Sequence, residues 1–346
     1  MGKKDKNPSK ASHSTTRESF LKASVSAATK PLADQADKHA LYQRAVQLPA
    51  KEVITLNSIY TALRPGLPAA RVLREDFCGT ALLCKEWIKR NVEREAIGVD
   101  LDESVVKYAN EVTRSDATVA ERVTVYHGDV MKVEGVPKAD IIVVLNYGAF
   151  YFHTRPLLLQ YFKKSLTSLN PDGVLICDMF GGTTRTSATP SSLHKRILDK
   201  DTTYTFTSTA FSMTSGTLKC ALNFYFSDGS KLEGAFKYHF RVWSMLELKE
   251  AMLEAGFKDV GLWVGRKLKQ EKEETDGEED EDEEEEDDAD DGIMEYRKHE
   301  WKDPLPAFDD FNAYVQSNGI HIQVPSCFNP TGVSYTSFCI RFKTLF

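Results

Sequence analysis

The sequence predicts a doubly wound α/β fold with an N-terminal helical extension and an antiparallel β-meander inserted after the fifth strand. Three observations carry this prediction. Between residues 71 and 182 short apolar runs alternate with helical segments, the signature of consecutive βαβ units around a parallel sheet. The first of these runs leads through a turn containing Gly79 straight into a helix. Beyond residue 203 the helical spacing gives way to strand-like runs separated by SG and SDGS turns.

Residues 1–37 are rich in Lys, Ser, Thr and Ala without sustained periodicity and read as a disordered basic tail. Residues 38–346 read as one domain. Over 38–70, Val53, Ile54, Leu56, Ile59, Tyr60 and Leu63 recur at three- and four-residue steps, which predicts a pair of helices ahead of the sheet. The core spans 71–182, with strands at Arg71 to Arg74, Ala96 to Val99, Val123 to Tyr126, Ile141 to Leu145 and Val174 to Cys177. Before the fifth, Pro156 suits a first helical turn, and Asn170, Pro171 and Gly173 stop the helix. The meander, residues 203–242, carries strand-like runs at Tyr204 to Met213, Thr217 to Phe226 and Leu232 to Val242. A helix then starts at Ser244, with Glu247 three residues on as capping-box partner, and ends at Gly256. Asp259 to Val264 predicts a sixth strand, and residues 335–343 a final strand returning to the sheet.

The formal charge of -7 conceals a division of the chain. Residues 271–291 contain 17 acidic side chains and one lysine, which leaves the remainder at about +9. That run cannot fold by burial and predicts a disordered acidic insertion within the domain. The six cysteines are scattered, with no CxxC pair and no Cys/His cluster at zinc spacing, so they read as buried, reduced residues, and no metal site is predicted. No apolar run is long enough to span a bilayer, nor do the first thirty residues hold the apolar core of a secretory signal. The expected setting is cytoplasmic or nuclear, away from membranes.

The chemistry is concentrated in RVLREDFCGTALLCKEW. A strand passing through a glycine turn into a helix lets backbone approach a ligand closely, offers free N–H groups, and allows an acidic residue to face a cation. Asp100 ends the second strand, where a carboxylate can accept both hydroxyls of a ribose. Asp129 follows the third strand in VTVYHGDVMKV. An NAD-dependent oxidoreductase would ordinarily show GxGxxG in the first turn, and Gly79-Thr80-Ala81 does not supply it.

These motifs, in this order, resemble those of class I, Rossmann-like S-adenosylmethionine-dependent methyltransferases, with Phe77 and Ala81 standing where the usual pattern has its outer glycines. EDFCGT, Glu75 to Thr80, and the LYQRAVQ helix, Leu41 to Gln47, further resemble a less-described group of that class whose substrate is undefined. The resemblance implies S-adenosylmethionine as cofactor. It implies contacts from Glu75, Phe77, Cys78, Gly79 and Thr80 in the first loop, from Asp100 and Leu101 to the ribose region, from Asp129 and the Val130 N–H to adenine, and from Asn146 beyond the fourth strand.

In such enzymes the acceptor meets the methyl group beyond the fourth strand, which here continues as NYGAFYFHTR. Tyr147 and His153 are therefore the candidate catalytic residues, and Phe150, Arg155 and Asp178 candidate substrate contacts, with Tyr42 and Tyr238 closing over the top. Neither an NPPY-type motif nor a Pro-Cys nucleophile is present, which disfavours amino-methylation of nucleobases and amides and cytosine C5-methylation. Methyl transfer from a sulfonium needs alignment and exclusion of water more than a base, so no triad or metal is expected. The reading is a methyltransferase acting on nitrogen or oxygen of a small-molecule acceptor. The alternatives are an RNA or protein methyltransferase, suggested by the basic body, and a noncatalytic S-adenosylmethionine-binding module, suggested by the irregular loop. Oligomeric state is not readable from the sequence.

Overall fold

The computed structural model describes Gly2 and residues 30–180, 190–267, 294–299 and 338–343. The chain enters through α1 (Leu32–Gln35), a single turn whose Leu32 and Ala33 N–H groups donate to Asp228 Oδ2 at 2.8 Å and Ser230 Oγ at 3.0 Å. Residues 30–37, expected within the tail, are thus tied to the SDGS turn of the meander by long-range backbone bonds that no local pattern reveals. Residues 1 and 3–29 of that tail lie outside the described residues.

The two expected helices follow as α2 (Lys38–Val46) and α3 (Pro49–Leu63). Asp37 caps α2, its Oδ1 accepting the His39 N–H at 2.8 Å, and Pro49 opens α3, where a missing N–H costs nothing. The core then runs β1 (Val72–Asp76), α4 (Leu82–Lys89), β2 (Glu95–Asp100), α5 (Glu103–Arg114), α6 (Ala117–Ala120), β3 (Val123–His127) and β4 (Ala139–Val144). A 3-10 turn, Gly148–Tyr151, leads to α7 (Arg155–Thr167) and β5 (Leu169–Met179). Asn170 to Gly173 stop the helix as expected, but they do so as an irregular start of β5: the register against β4 shifts between the Ala139 and Ile141 pairs.

The meander is larger than expected. Its sheet has four antiparallel strands, β6 (Ser191–Asp199), β7 (Thr202–Ser208), β8 (Thr217–Phe226) and β9 (Lys231–Arg241). The first strand escapes sequence reading because SSLHKRILD lacks a clear apolar alternation; its register is instead set by pairing along β7. After it come α8 (Met245–Ala255), with the Ser244/Glu247 capping box and Gly256 in the left-handed conformation, and then β10 (Asp259–Lys267), β11 (Met294–His299) and β12 (Phe338–Lys343).

The main sheet has eight strands in the order β11-β10-β12-β5-β4-β1-β2-β3. β1 to β5 are parallel, and β12 wedges between β5 and β10, antiparallel to both. The final strand therefore returns to the sheet; of the expected range, 335–337 lie outside the described residues, as does the acidic insertion 271–291. Lys267 pairs with Met294, so the strands on either side of that insertion form one hairpin. One core packs Val53, Leu56, Ile59, Trp87 and Val106 of α3, α4 and α5 under the sheet. The other packs Phe162 of α7, Leu248 of α8 and Tyr204, Leu222 and Phe240 of the meander on the opposite face. The strand ends of β1, β2 and β4 are left between the N-terminal helices and the meander. No helix among the described residues is long and apolar enough to cross a membrane.

Candidate active site

The turn after β1 keeps the backbone of a glycine loop without all of its glycines. Phe77, Gly79 and Ala81 have φ of 61°, 52° and 55°, so both residues that replace the usual outer glycines sit in the left-handed region. Each non-glycine residue there costs of order 1 kcal/mol, which the surrounding bonds must offset. They do so through Cys78 N–H to Val99 O at 3.1 Å, Ala81 N–H to Cys78 O at 2.9 Å and Gly79 N–H to Asp100 Oδ2 at 2.8 Å. Thr80 is buried, and its Oγ1 accepts from Gln43 Nε2 of α2 at 2.6 Å. The Phe77 ring stacks on Tyr151 at 5.7 Å, and Gly148 is close enough beneath it that a Cβ there would fall 2.8 Å from Phe77 Cδ2.

Asp100 closes β2, and both of its oxygens are occupied by backbone: Oδ1 accepts the Asp102 N–H at 3.0 Å and Oδ2 that of Gly79. The carboxylate is thereby fixed in orientation while each oxygen keeps a further lone pair. Leu101 is exposed beside it. Asp129 accepts the Met131 N–H at 2.9 Å and pairs with Lys132 at 3.1 Å, and Val130 is buried.

Beyond β4 two successive residues, Asn146 and Tyr147, adopt φ of 54° and 65°. Their N–H groups both point at Asp178, which is 2% exposed at the end of β5 and accepts from Asn146 at 2.9 Å and Tyr147 at 2.8 Å. This clamp turns the chain across the sheet edge and brings Tyr147 beside Tyr42, Val46, Asn146, Tyr204, Phe206, Leu222, Tyr238 and Phe240, which together line a cleft of about 290 Å³ counted out to its open mouth. Tyr238 stacks on Phe240 at 5.2 Å and shares a hydrogen bond between its hydroxyl and that of Tyr42. Burial pushes both phenols above their usual range. Tyr151, absent from the sequence-derived site, is part-exposed, lies against Phe77 and Phe240 and is near enough to Asp100 to feel its charge.

The candidate residues divide accordingly. Tyr42, Asn146, Tyr147 and Tyr238 meet in the cleft. Phe150 is fully buried between Phe180, Phe240 and Tyr147 and belongs to the packing behind it. Asp178 is committed to backbone. His153 stands outside, its Nε2 at 2.7 Å from the His239 carbonyl and its ring edge-on to that of His239. Arg155 is exposed at the start of α7 and ion-paired with Glu254 of α8. A register of polar residues along NYGAFYFHTR could not show that the 3-10 turn directs the second half of this segment away from the sheet edge.

The residues at the β1 and β2 ends suit a cationic nucleoside. A Cβ placed on Gly79 would meet no atom within 4 Å, so that backbone opens on free space. Glu75, 3% exposed, accepts from Cys84 Sγ at 3.3 Å, and burial, reinforced by the charges of Glu52 and Asp100, raises its carboxyl to about 8. A buried acid set against other acids is matched by a ligand that brings positive charge. Glu52 of α3, which the sequence reading passed over, is in the same state: burial raises its carboxyl to about 7, and its Oε1 has no hydrogen-bond partner. Among the described residues no cluster of metal-ligating side chains occurs.

Residues 77–173 match the Methyltransf_25 family, described as a methyltransferase domain. No curated protein matches the chain. Similar solved structures include the CcbJ methyltransferase from Streptomyces caelestis, at 17% identity and TM-score 0.52 over 64% of this chain and 89% of that one. CalS10 from Micromonospora echinaspora, an amino pentose methyltransferase solved with S-adenosylmethionine bound, gives 16% and 0.51 over 65% and 89%. DesVI from Streptomyces venezuelae gives 17% and 0.52 over 67% and 92%. At these identities the likeness is one of fold. Strand order, loop and domain match together define an S-adenosylmethionine-dependent methyltransferase of the Rossmann-like class.

Proposed function

We propose that this methyltransferase acts on a nitrogen or oxygen of a small-molecule acceptor seated in the tyrosine-lined cleft. The observation that supports this most is the cleft itself. It lies immediately beyond the β4 end, is roofed by the meander and α2, and brings Tyr42, Tyr147 and Tyr238 together at its walls. CalS10, similar in fold, is named as an amino pentose methyltransferase, and an acceptor of that class would present a nitrogen to the cleft. The phrase EDFCGT, Glu75 to Thr80, supports placing the chain in the less-described methyltransferase group that it marks.

In this reading Asp100 takes the ribose hydroxyls on the lone pairs that Gly79 and Asp102 leave free, Asp129 and the Val130 N–H take adenine, and Glu75 faces the amino-acid end. When bound, S-adenosylmethionine supplies a methyl group already activated on a sulfonium. The protein's own part is alignment: the Asp178 clamp fixes Asn146 and Tyr147, and Tyr42, Tyr147 and Tyr238 orient the acceptor and exclude water. Their π faces also favour a methyl group carrying positive charge. An amine acceptor loses its proton after transfer and needs no base in the protein, so His153 is given no role.

The test is incubation of the protein with methyl-labelled S-adenosylmethionine and separate small-metabolite, RNA and protein fractions of a cell extract. Label entering the small-metabolite fraction supports the proposal. Label entering only RNA or protein overturns it.

A further inference from the structure

We propose that Glu52 is a second carboxylate of the cofactor's amino-acid subsite, accepting a hydrogen bond from the α-ammonium group of S-adenosylmethionine opposite Glu75. The assignment rests on the methyltransferase reading of the site. It starts from an unsatisfied atom: Glu52 Oε1 exposes less than 1 Å² and has no hydrogen-bond partner. Leaving a buried acceptor unpaired costs about 1–3 kcal/mol, a cost that an arriving donor would remove.

The surroundings say what kind of donor. Glu52 sits in the first turn of α3, where its carboxylate takes the Leu48 N–H. The groups set against it from the other elements are Tyr42 of α2, Glu75 of β1 and Asp178 of β5. Asp178 is spent on the Asn146 and Tyr147 N–H groups. Glu75 has the thiol of Cys84 and faces Asp100 beyond. Two buried carboxyls are therefore close enough to raise one another's charge cost, with Lys85 of α4 the one cation set against Glu75 and none set against Glu52 among the described residues. Burial holds both partly protonated near neutrality, Glu52 at about 7 and Glu75 at about 8. A small ligand with several N–H donors on one positive centre satisfies the orphaned oxygen and stabilises both carboxylates together. A neutral ligand, or the nucleoside half of the cofactor, does neither.

The test uses three ligands of known structure and calorimetry on the full chain: S-adenosylmethionine, S-adenosylhomocysteine, and 5'-methylthioadenosine, which keeps the nucleoside and thioether but lacks the amino-acid end. In Glu52→Gln the first two should bind about ten- to a hundredfold more weakly while 5'-methylthioadenosine is unchanged. Glu52→Asp should recover part of the loss. Titrations of S-adenosylhomocysteine near pH 7 in buffers of different ionisation enthalpy should show protons released by the wild type and fewer by Glu52→Gln. Unchanged affinity for S-adenosylmethionine in Glu52→Gln, or an equal loss for all three ligands, overturns the assignment. Wild-type protein that binds none of the three overturns the reading of the site as well, which separates the two failures.

Discussion

The carboxylate of Asp178 holds Tyr147 by its backbone, Oδ1 accepting the Tyr147 N–H at 2.8 Å while Oδ2 takes that of Asn146. Two successive residues with positive φ are costly, and a buried anion with two aligned acceptors stabilises that conformation. Asp178→Asn replaces one acceptor by a donor facing an N–H. It should lower stability by about 1–3 kcal/mol and abolish hydrogen-exchange protection at the Asn146 and Tyr147 amides, with protection in β1 retained. Unaltered protection at those two amides would show that the clamp is not what shapes the cleft.

The Tyr238–Tyr42 hydroxyl pair joins the meander to α2 across the mouth of the cleft. Tyr42→Phe and Tyr238→Phe each keep the ring and remove one partner, so the double variant should lose less than the sum of the singles. A coupling of about 0.5–1.5 kcal/mol in denaturant unfolding is expected. Strictly additive losses would place the two hydroxyls out of contact.

The raised carboxyl of Glu75 makes a signed prediction for the ligand-free protein. Its ordinary value is 4.5 and its folded value about 8, so above pH 4.5 the unfolded chain loses this proton first. The favourable contribution is complete below pH 4.5 and is lost as pH rises through about 8. The stability difference between wild type and Glu75→Gln, measured by urea unfolding from pH 4.5 to 8.5, should therefore move steadily against the wild type. A flat difference across that window contradicts the burial of this acid in the ligand-free protein.

Removal of residues 273–290 should be tolerated. Lys267 and Met294 are paired neighbours in the β10–β11 hairpin, so a short turn can join strands already side by side, and loop length carries a small entropic cost. Thermal unfolding should shift by a few degrees at most. A collapse of stability would mean that the acidic run packs against the folded body.

The parallel core was legible in the sequence because buried parallel strands read as short apolar runs and their helices as periodic ones; β1 to β5 and the Ser244 cap follow directly. So did Tyr42, Asn146, Tyr147 and Tyr238, which the structure gathers into one cleft. What escaped depends on direction in space. Gln43 and Glu52 look like ordinary polar positions of two amphipathic helices, and only the packing of α2 and α3 brings them against Thr80 and Glu75. Tyr151 and His153 are two residues apart, yet the 3-10 turn sends one toward Asp100 and the other to the meander surface. β6 was missed because pairing along β7, and not its own apolar pattern, defines it.

The central claim is that the cofactor lies across the ends of β1 to β3 with its methyl-bearing sulfur at the tyrosine cleft. A crystal structure of the protein with S-adenosylhomocysteine tests it most directly. The account predicts ribose hydroxyls on Asp100, the ammonium between Glu75 and Glu52, and a sulfur open toward Tyr42, Tyr147 and Tyr238. A nucleoside bound elsewhere, or a sulfur turned away from those three rings, would contradict it.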